Sequence, residues 1–219
     1  MTGFASRVEP PLGAHRKTAI WLHGMGEDAS AYSELARRMD LPRKGVRGVF
    51  AQGSPRHRPL TGNAVPGWFD QDPGDELDAE PQSLNEAIDC VSHLLAQEAQ
   101  LIDSRHIILC GFSQGAALAL IAGLRFEQPL GGLMLYAPYM VRGARLRETR
   151  SAASVDTPVW IGHGANDTVV PPLFSERIKD LLKLGKYAVE YNSYEGGHKA
   201  FHGVDAGDMD RFFFTGRER

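Results

Sequence analysis

Gly111-Phe112-Ser113-Gln114-Gly115 is the only Gly-x-Ser-x-Gly in the 219-residue chain. The spacing suits a serine on a sharp turn between a strand and a helix, with its hydroxyl held clear of the backbone. The flanking glycines leave room where a Cβ would clash. An apolar run enters the motif and an alanine-rich run leaves it, which is the context such a turn needs. A serine hydroxyl is a weak nucleophile at neutral pH. It needs an imidazole to take its proton and a carboxylate to hold that imidazole in one tautomer. The chemistry to look for is covalent acyl transfer.

The partners are expected downstream in the order acid, then histidine. Of the later aspartates, Asp167 lies just beyond an apolar run at 159–162, where a strand's carboxyl end would place it. Asp156 precedes that run, and Asp180 falls within an amphipathic helical pattern. An ordinary helix-capping role is the competing reading of Asp167. His198 follows the strand-like segment 187–191 through Gly196-Gly197 and is the expected base. His202, one helical turn further on, competes with it. His163 precedes the acid and reads better as a structural hydrogen-bonding group. A zinc site shared by His198 and His202 is disfavoured, because no HExxH and no nearby third ligand accompany them.

Attack on a carbonyl creates an oxyanion, and donors must already face it. One is expected from the Gln114 backbone N–H. The other is expected from His23-Gly24-Met25-Gly26, the loop after the first strand, through the Met25 N–H. The Gln114 side chain is not needed for that task.

Short β-rich runs alternate with amphipathic helical runs along the chain. This rhythm implies an α/β fold, a mostly parallel central sheet with helices on both faces. Strands are expected at 18–22, 46–50, 105–110, 133–136, 159–162 and 187–191. The 105–110 strand should be central, being apolar on both faces. Helical periodicity marks 32–39, a long helix after a Ser83/Glu86 capping box, 115–124, 172–184 closed by Gly185, and a C-terminal segment with Met209 and Phe212–Phe214. Residues 1–16 read as an N-terminal extension and 51–80 as a long ordered loop on the substrate side. No linker divides 1–219, so one domain is expected.

Composition narrows the function. Net charge is −3, with 24 Lys+Arg and 27 Asp+Glu, so no general nucleic-acid footprint is present. The arginines between 142 and 150 lack the interleaved aromatics of a nucleic-acid surface. Cys90 and Cys110 fall in segments that read as buried, which suits free thiols in a reducing cytoplasm. No signal peptide and no apolar run near the ~20 residues of a bilayer span is visible.

Six segments together resemble the phospholipase/carboxylesterase family, which includes the acyl-protein thioesterases. They are Leu22-His23-Gly24-Met25-Gly26, Ser54 to Thr61 with Asn63, Trp68-Phe69-Asp70, Gly111 to Gly115, His163-Gly164 through Asp167 to Val170-Pro171, and Tyr194 to His198. The resemblance runs from about residue 17 to 215. It implies an α/β-hydrolase fold, a nucleophile, acid and base at Ser113, Asp167 and His198, and oxyanion donors at Met25 and Gln114. It implies a serine carboxylesterase for esters or thioesters, lysophospholipids and S-acylated proteins included, with no cofactor and no metal. Two positions depart from the pattern: Ala165 replaces a common aspartate and Ala116 a common glycine. Substrate contact is expected in the loop 60–70, at Leu60, Val65, Trp68 and Phe69, with core packing the competing role for the last two. Asp70 is expected to accept a structural hydrogen bond. A homodimer is left open. The rival functions are an amidase or peptidase on the same fold and a non-catalytic binding module.

Overall fold

A computed structural model describes residues 4–57, 63–70, 82–141, 146–199 and 206–214. The elements run β1 (Ala5–Glu9), β2 (Lys17–Leu22), α1 (Ser30–Arg38), β3 (Val46–Gln52), β4 (Ser54–His57), β5 (Ala64–Gly67), α2 (Gln82–Glu98), β6 (Ile107–Phe112), α3 (Gln114–Arg125), β7 (Gly132–Tyr136), α4 (Leu146–Thr149), β8 (Val159–Gly164), α5 (Pro172–Leu184), β9 (Val189–Tyr194) and α6 (Ala206–Phe214). Seven strands form one sheet in the order β1-β3-β2-β6-β7-β8-β9. β1 pairs antiparallel with β3, and every other neighbour pairs parallel.

Strand residues alternate between the two faces with period two. Ile20, Leu22, Ile107, Leu109, Leu133, Leu135, Val159 and Ile161 join one cluster with side chains of α2, α3 and α5. Ala19, Trp21, Ile108, Cys110, Met134, Tyr136 and Trp160 join a second with α1 and α6. The sheet is therefore covered on both faces, and β6 sits at its centre, paired with β2 and β7. α3 is buried along almost its whole length. Its run of alanines lets it lie close to the strands, so its N-terminus is held above the end of β6.

All six expected strands form, with small shifts at their ends. Arg105 lies in a 3-10 turn before β6, and β9 starts two residues later than the segment read from sequence. Two regions differ more. The N-terminal extension contains β1, whose side chains are mostly exposed. An edge strand held by backbone hydrogen bonds needs no apolar stripe, so sequence periodicity does not reveal it. The expected loop 51–80 begins with the end of β3 and contains the β4–β5 hairpin, paired Ser54↔Gly67 through His57↔Ala64. The capping box is also corrected. Ser83 lies inside α2, and its hydroxyl accepts the Asp70 N–H at 3.0 Å. Gly185 does close α5, donating to the Leu181 carbonyl while Lys186 N–H donates to that of Lys183, but the left-handed residue is Lys186.

Candidate active site

Ser113 stands between β6 and α3 with φ 51° and ψ −117°. A positive φ at a non-glycine residue is strained, and the neighbouring packing leaves the turn no alternative. A Cβ on Gly115 would collide with the Leu22 and His23 carbonyls, and one on Gly111 with the Gly115 carbonyl. The Ser113 N–H donates to the Tyr136 carbonyl at 2.9 Å, which ties the turn to β7.

The imidazole of His198 lies between the two other groups. Its Nε2 is 3.0 Å from Ser113 Oγ, and its Nδ1 is 2.7 Å from Asp167 Oδ2. Nδ1 faces a carboxylate and so carries the proton, which leaves Nε2 free to accept from the serine. The Phe112 ring packs against the imidazole at 4.8 Å between centroids. The base loop and the acid loop are bonded to each other: Ala165 donates to the Tyr194 carbonyl and Asn166 to the Gly196 carbonyl, at 2.8 and 2.9 Å. Gly164 permits this approach, since a Cβ there would meet the Gly196 and Gly197 carbonyl oxygens.

Asp167 is buried and accepts on both oxygens. Oδ1 takes the N–H groups of Val169 and Val170 at 2.9 and 2.8 Å. Oδ2 takes His198 and also lies 3.2 Å from Nε2 of fully buried His163. That same Nε2 donates to the Val170 carbonyl at 2.8 Å, which sets the His163 tautomer. Its Nδ1 has no partner among the described residues. Tyr194 lies close by, its pKa pushed up to about 12 by burial and by the charge of Asp167.

The loop after β2 packs beside the serine turn, with Gly24 against the Phe112 ring and the Leu22 and His23 carbonyls against Gly115. Gly24 N–H donates to Glu27 at 2.8 Å, Gly26 N–H to the Pro66 carbonyl at 2.7 Å, and Glu27 N–H to the Gly24 carbonyl at 3.1 Å. Met25 sits between these tied groups. Gln114 opens α3, so its N–H belongs to the first helical turn, where no intrahelical acceptor exists. His23 anchors the loop from below. Its Nε2 accepts from Gly53 N–H at 2.9 Å and its Nδ1 donates to the Gly24 carbonyl at 2.7 Å. Burial lowers its pKa from the usual 6.5, against the opposing pull of that carbonyl and of Glu27 and Asp28.

The substrate-contact expectation for Trp68 and Phe69 is corrected. Both are 0% exposed. Trp68 Nε1 donates to the His23 carbonyl at 2.6 Å, so the pair is a floor beneath the loop rather than a groove wall. The Gln114 side chain holds that floor. Its Oε1 accepts Trp68 N–H at 3.0 Å, and its Nε2 donates to the Phe69 carbonyl at 2.8 Å. Val65 is half-buried on β5. Leu60 and His202 lie outside the described residues. Asp70 accepts from Arg56 at 3.2 Å. Sequence reasoning missed the contacts of His163 with Asp167 and of Gln114 with the Trp68–Phe69 pair. The Gln in Gly-x-Ser-Gln-Gly and the i,i+4 spacing of His163 and Asp167 were the available signals.

This fold and this arrangement define a class, the serine-dependent α/β-hydrolases. Comparison with known proteins agrees. The family model described as Phospholipase/Carboxylesterase matches residues 5–213, and the chain belongs to that family. An acyl-protein thioesterase 1 from Emericella nidulans is 28% identical over 222 residues, covering 94% of this chain and 92% of the relative. One from Cryptococcus neoformans var. neoformans serotype D is 30% identical over 178 residues, 78% of this chain and 75% of the relative. The crystal structure of esterase PE8 superposes with a TM-score of 0.81 at 24% identity, over 99% of this chain and 100% of that one, which establishes the shared fold. The chain is a hydrolase of ester-type bonds.

Proposed function

We propose that the protein is a serine carboxylesterase that cleaves carboxylic esters or thioesters through an acyl-serine on Ser113. The observation that carries this is the His198 ring bridging Ser113 Oγ and Asp167 Oδ2 at 3.0 and 2.7 Å. In the reaction, Ser113 Oγ attacks the acyl carbon while its proton passes to His198 Nε2. The Met25 and Gln114 N–H groups receive the carbonyl oxygen as it becomes negative. The tetrahedral species collapses, His198 returns the proton to the departing alkoxide or thiolate, and the acyl group stays on Ser113. Water then repeats the sequence with the same base and frees the acid. The Asp167 carboxylate fixes the ring throughout.

The names of the relatives favour thioesters of acylated proteins among the substrates, with lipid esters the other class. Val65 and Leu60 are the proposed acyl contacts. We place this activity in one domain spanning 1–219, in the cytoplasm. Two free cysteines support that location, and no described helix is long and apolar enough to cross a membrane. Ser113→Ala should abolish hydrolysis of p-nitrophenyl esters and labelling by a fluorophosphonate, with an unchanged circular dichroism spectrum. Full turnover by that variant would refute the assignment. A matched panel of C2 to C16 esters and thioesters then reads out chain length and leaving-group preference.

A further inference from the structure

We infer that Glu27 is a positioning residue for the oxyanion hole: its carboxylate, anchored by Tyr32, holds the Gly24–Gly26 backbone so that the Met25 N–H faces the reacting carbonyl. The inference rests on the serine-esterase reading above. One oxygen, Oε2, accepts from both the Gly24 N–H and the Tyr32 hydroxyl. Tyr32 is a buried residue of α1 in the second core cluster, 6.1 Å from Trp21 between ring centroids. The carboxylate therefore connects a packed side chain to the Gly24 backbone.

A plain helix-capping role does not account for Glu27. The N-cap of α1 is Ala29, with no side-chain cap bond, and the carboxylate at the helix entrance is that of Asp28, whose Oδ1 accepts the Ser30 N–H at 2.7 Å. Glu27 turns the other way, towards Gly24. Nor is the loop held by Glu27 alone. The Gly26 N–H is fixed by Pro66 and the Gly24 carbonyl by His23, so the two sides of Met25 have separate anchors. Gly24 itself is wedged between Glu27 and Phe112, where an added Cβ would lie 2.8 Å from the Phe112 ring and 3.1 Å from the Glu27 carboxylate. Without the Glu27 bridge, the His23–Gly24 peptide loses its N–H anchor, and the direction of the Met25 N–H then rests only on the bonds that the Gly24 carbonyl accepts from His23 and the Glu27 N–H.

A negative charge beside an oxyanion hole opposes the reaction unless it is engaged elsewhere. The Tyr32 hydroxyl and the Gly24 N–H engage it. Burial and the charge of Glu27 in turn push the Tyr32 pKa well above 10, so the phenol keeps its proton for this bond.

Oxyanion donors act on the transition state more than on bound substrate. Glu27→Ala should therefore lower kcat on a p-nitrophenyl ester on the order of 10²-fold, the scale of a misplaced catalytic group, and leave KM within about 2-fold. The fluorophosphonate labelling rate should fall in parallel. Glu27→Gln keeps an acceptor oxygen at the same reach and should retain most of kcat. Tyr32→Phe removes only the hydroxyl and should give a smaller loss with the same kcat-only pattern, which keeps the test open if Glu27→Ala folds poorly. Wild-type kcat in Glu27→Ala, a loss confined to KM, or equal damage from Gln and Ala overturns the inference. Labelled wild type with an equally labelled Glu27→Ala overturns it alone, whereas an unlabelled wild type overturns the esterase reading as well.

Discussion

The two sides of the site are held by different physics. On the nucleophile side, Ser113 is placed by packing. Its left-handed backbone is held between a central strand and a buried helix, with Gly115 against the Leu22 and His23 carbonyls and Gly111 against Gly115. On the base side, His198 and Asp167 sit on loops that follow β9 and β8, and hydrogen bonds place them. Three donors converge on the Asp167 carboxylate, two from backbone and one from the His198 imidazole, with His163 Nε2 3.2 Å from Oδ2. Damage to the packing that places Ser113 should therefore register as lost folding, and loss of a hydrogen bond on the second side as lost chemistry in a folded protein.

The sharpest way to break that contrast is Asp167→Asn. The fold should survive while kcat falls about 10⁴-fold, as when the orienting acid of such a triad is neutralised. A loss of only a few-fold would show that His198 is oriented by something else, such as the Phe112 ring. Next in size is Gly115→Ala. Its methyl would meet the Leu22 and His23 carbonyls, and backbone cannot yield as a side chain can. Stability should drop by about 2–4 kcal/mol in chemical denaturation, and any soluble protein should lose activity with it. A variant as stable as wild type would mean the turn is not packed as described. Smaller still is His163→Leu, which removes the imidazole that bonds the Val170 carbonyl and lies 3.2 Å from Asp167 Oδ2, and should lower kcat about 10-fold. Gln at 163 presents an N–H at the reach of the imidazole Nε2 and should recover most of that loss; equal kcat in Leu and Gln variants would assign His163 to packing alone.

The smallest effect concerns pH. Folding lowers the His23 pKa below 6.5, so the unfolded chain takes up the proton more readily. The contribution of neutral His23 to stability is complete above pH 6.5. It declines as pH falls from there towards the lowered folded-state value. Denaturation midpoints measured from pH 7.5 down to 5 should thus fall less steeply in His23→Gln than in wild type. Parallel curves would remove His23 as a source of acid sensitivity.

Residue identities were enough to name the groups that meet at Ser113, because chain order and strand position leave few choices. Asp156 and Asp180 fall at the wrong end of the sheet or on a helix surface, and His163 precedes the acid. The same reading left Trp68 and Phe69 between a groove wall and the core, and both are buried. Their composition and loop setting suit a groove wall as well as a floor, and periodicity has no power to tell which side of a loop faces solvent. It also missed β1 and the β4–β5 hairpin. Neither carries an alternating apolar stripe, since both rely on backbone pairing.

Taken alone, the order of residues determined the fold class, the serine turn and the candidates for acid and base. These follow from local rules: alternation for buried strands, glycine where a side chain has no room, and a histidine placed after a strand. Tertiary structure alone decided which polar groups share a bond. That Glu27 bridges Gly24 and Tyr32, that His163 and His198 both approach one carboxylate oxygen, and that Gln114 holds Trp68 depend on separations of a few ångströms that residue order does not give. Hydrogen bonds are short and directional, so no pattern in one dimension specifies them.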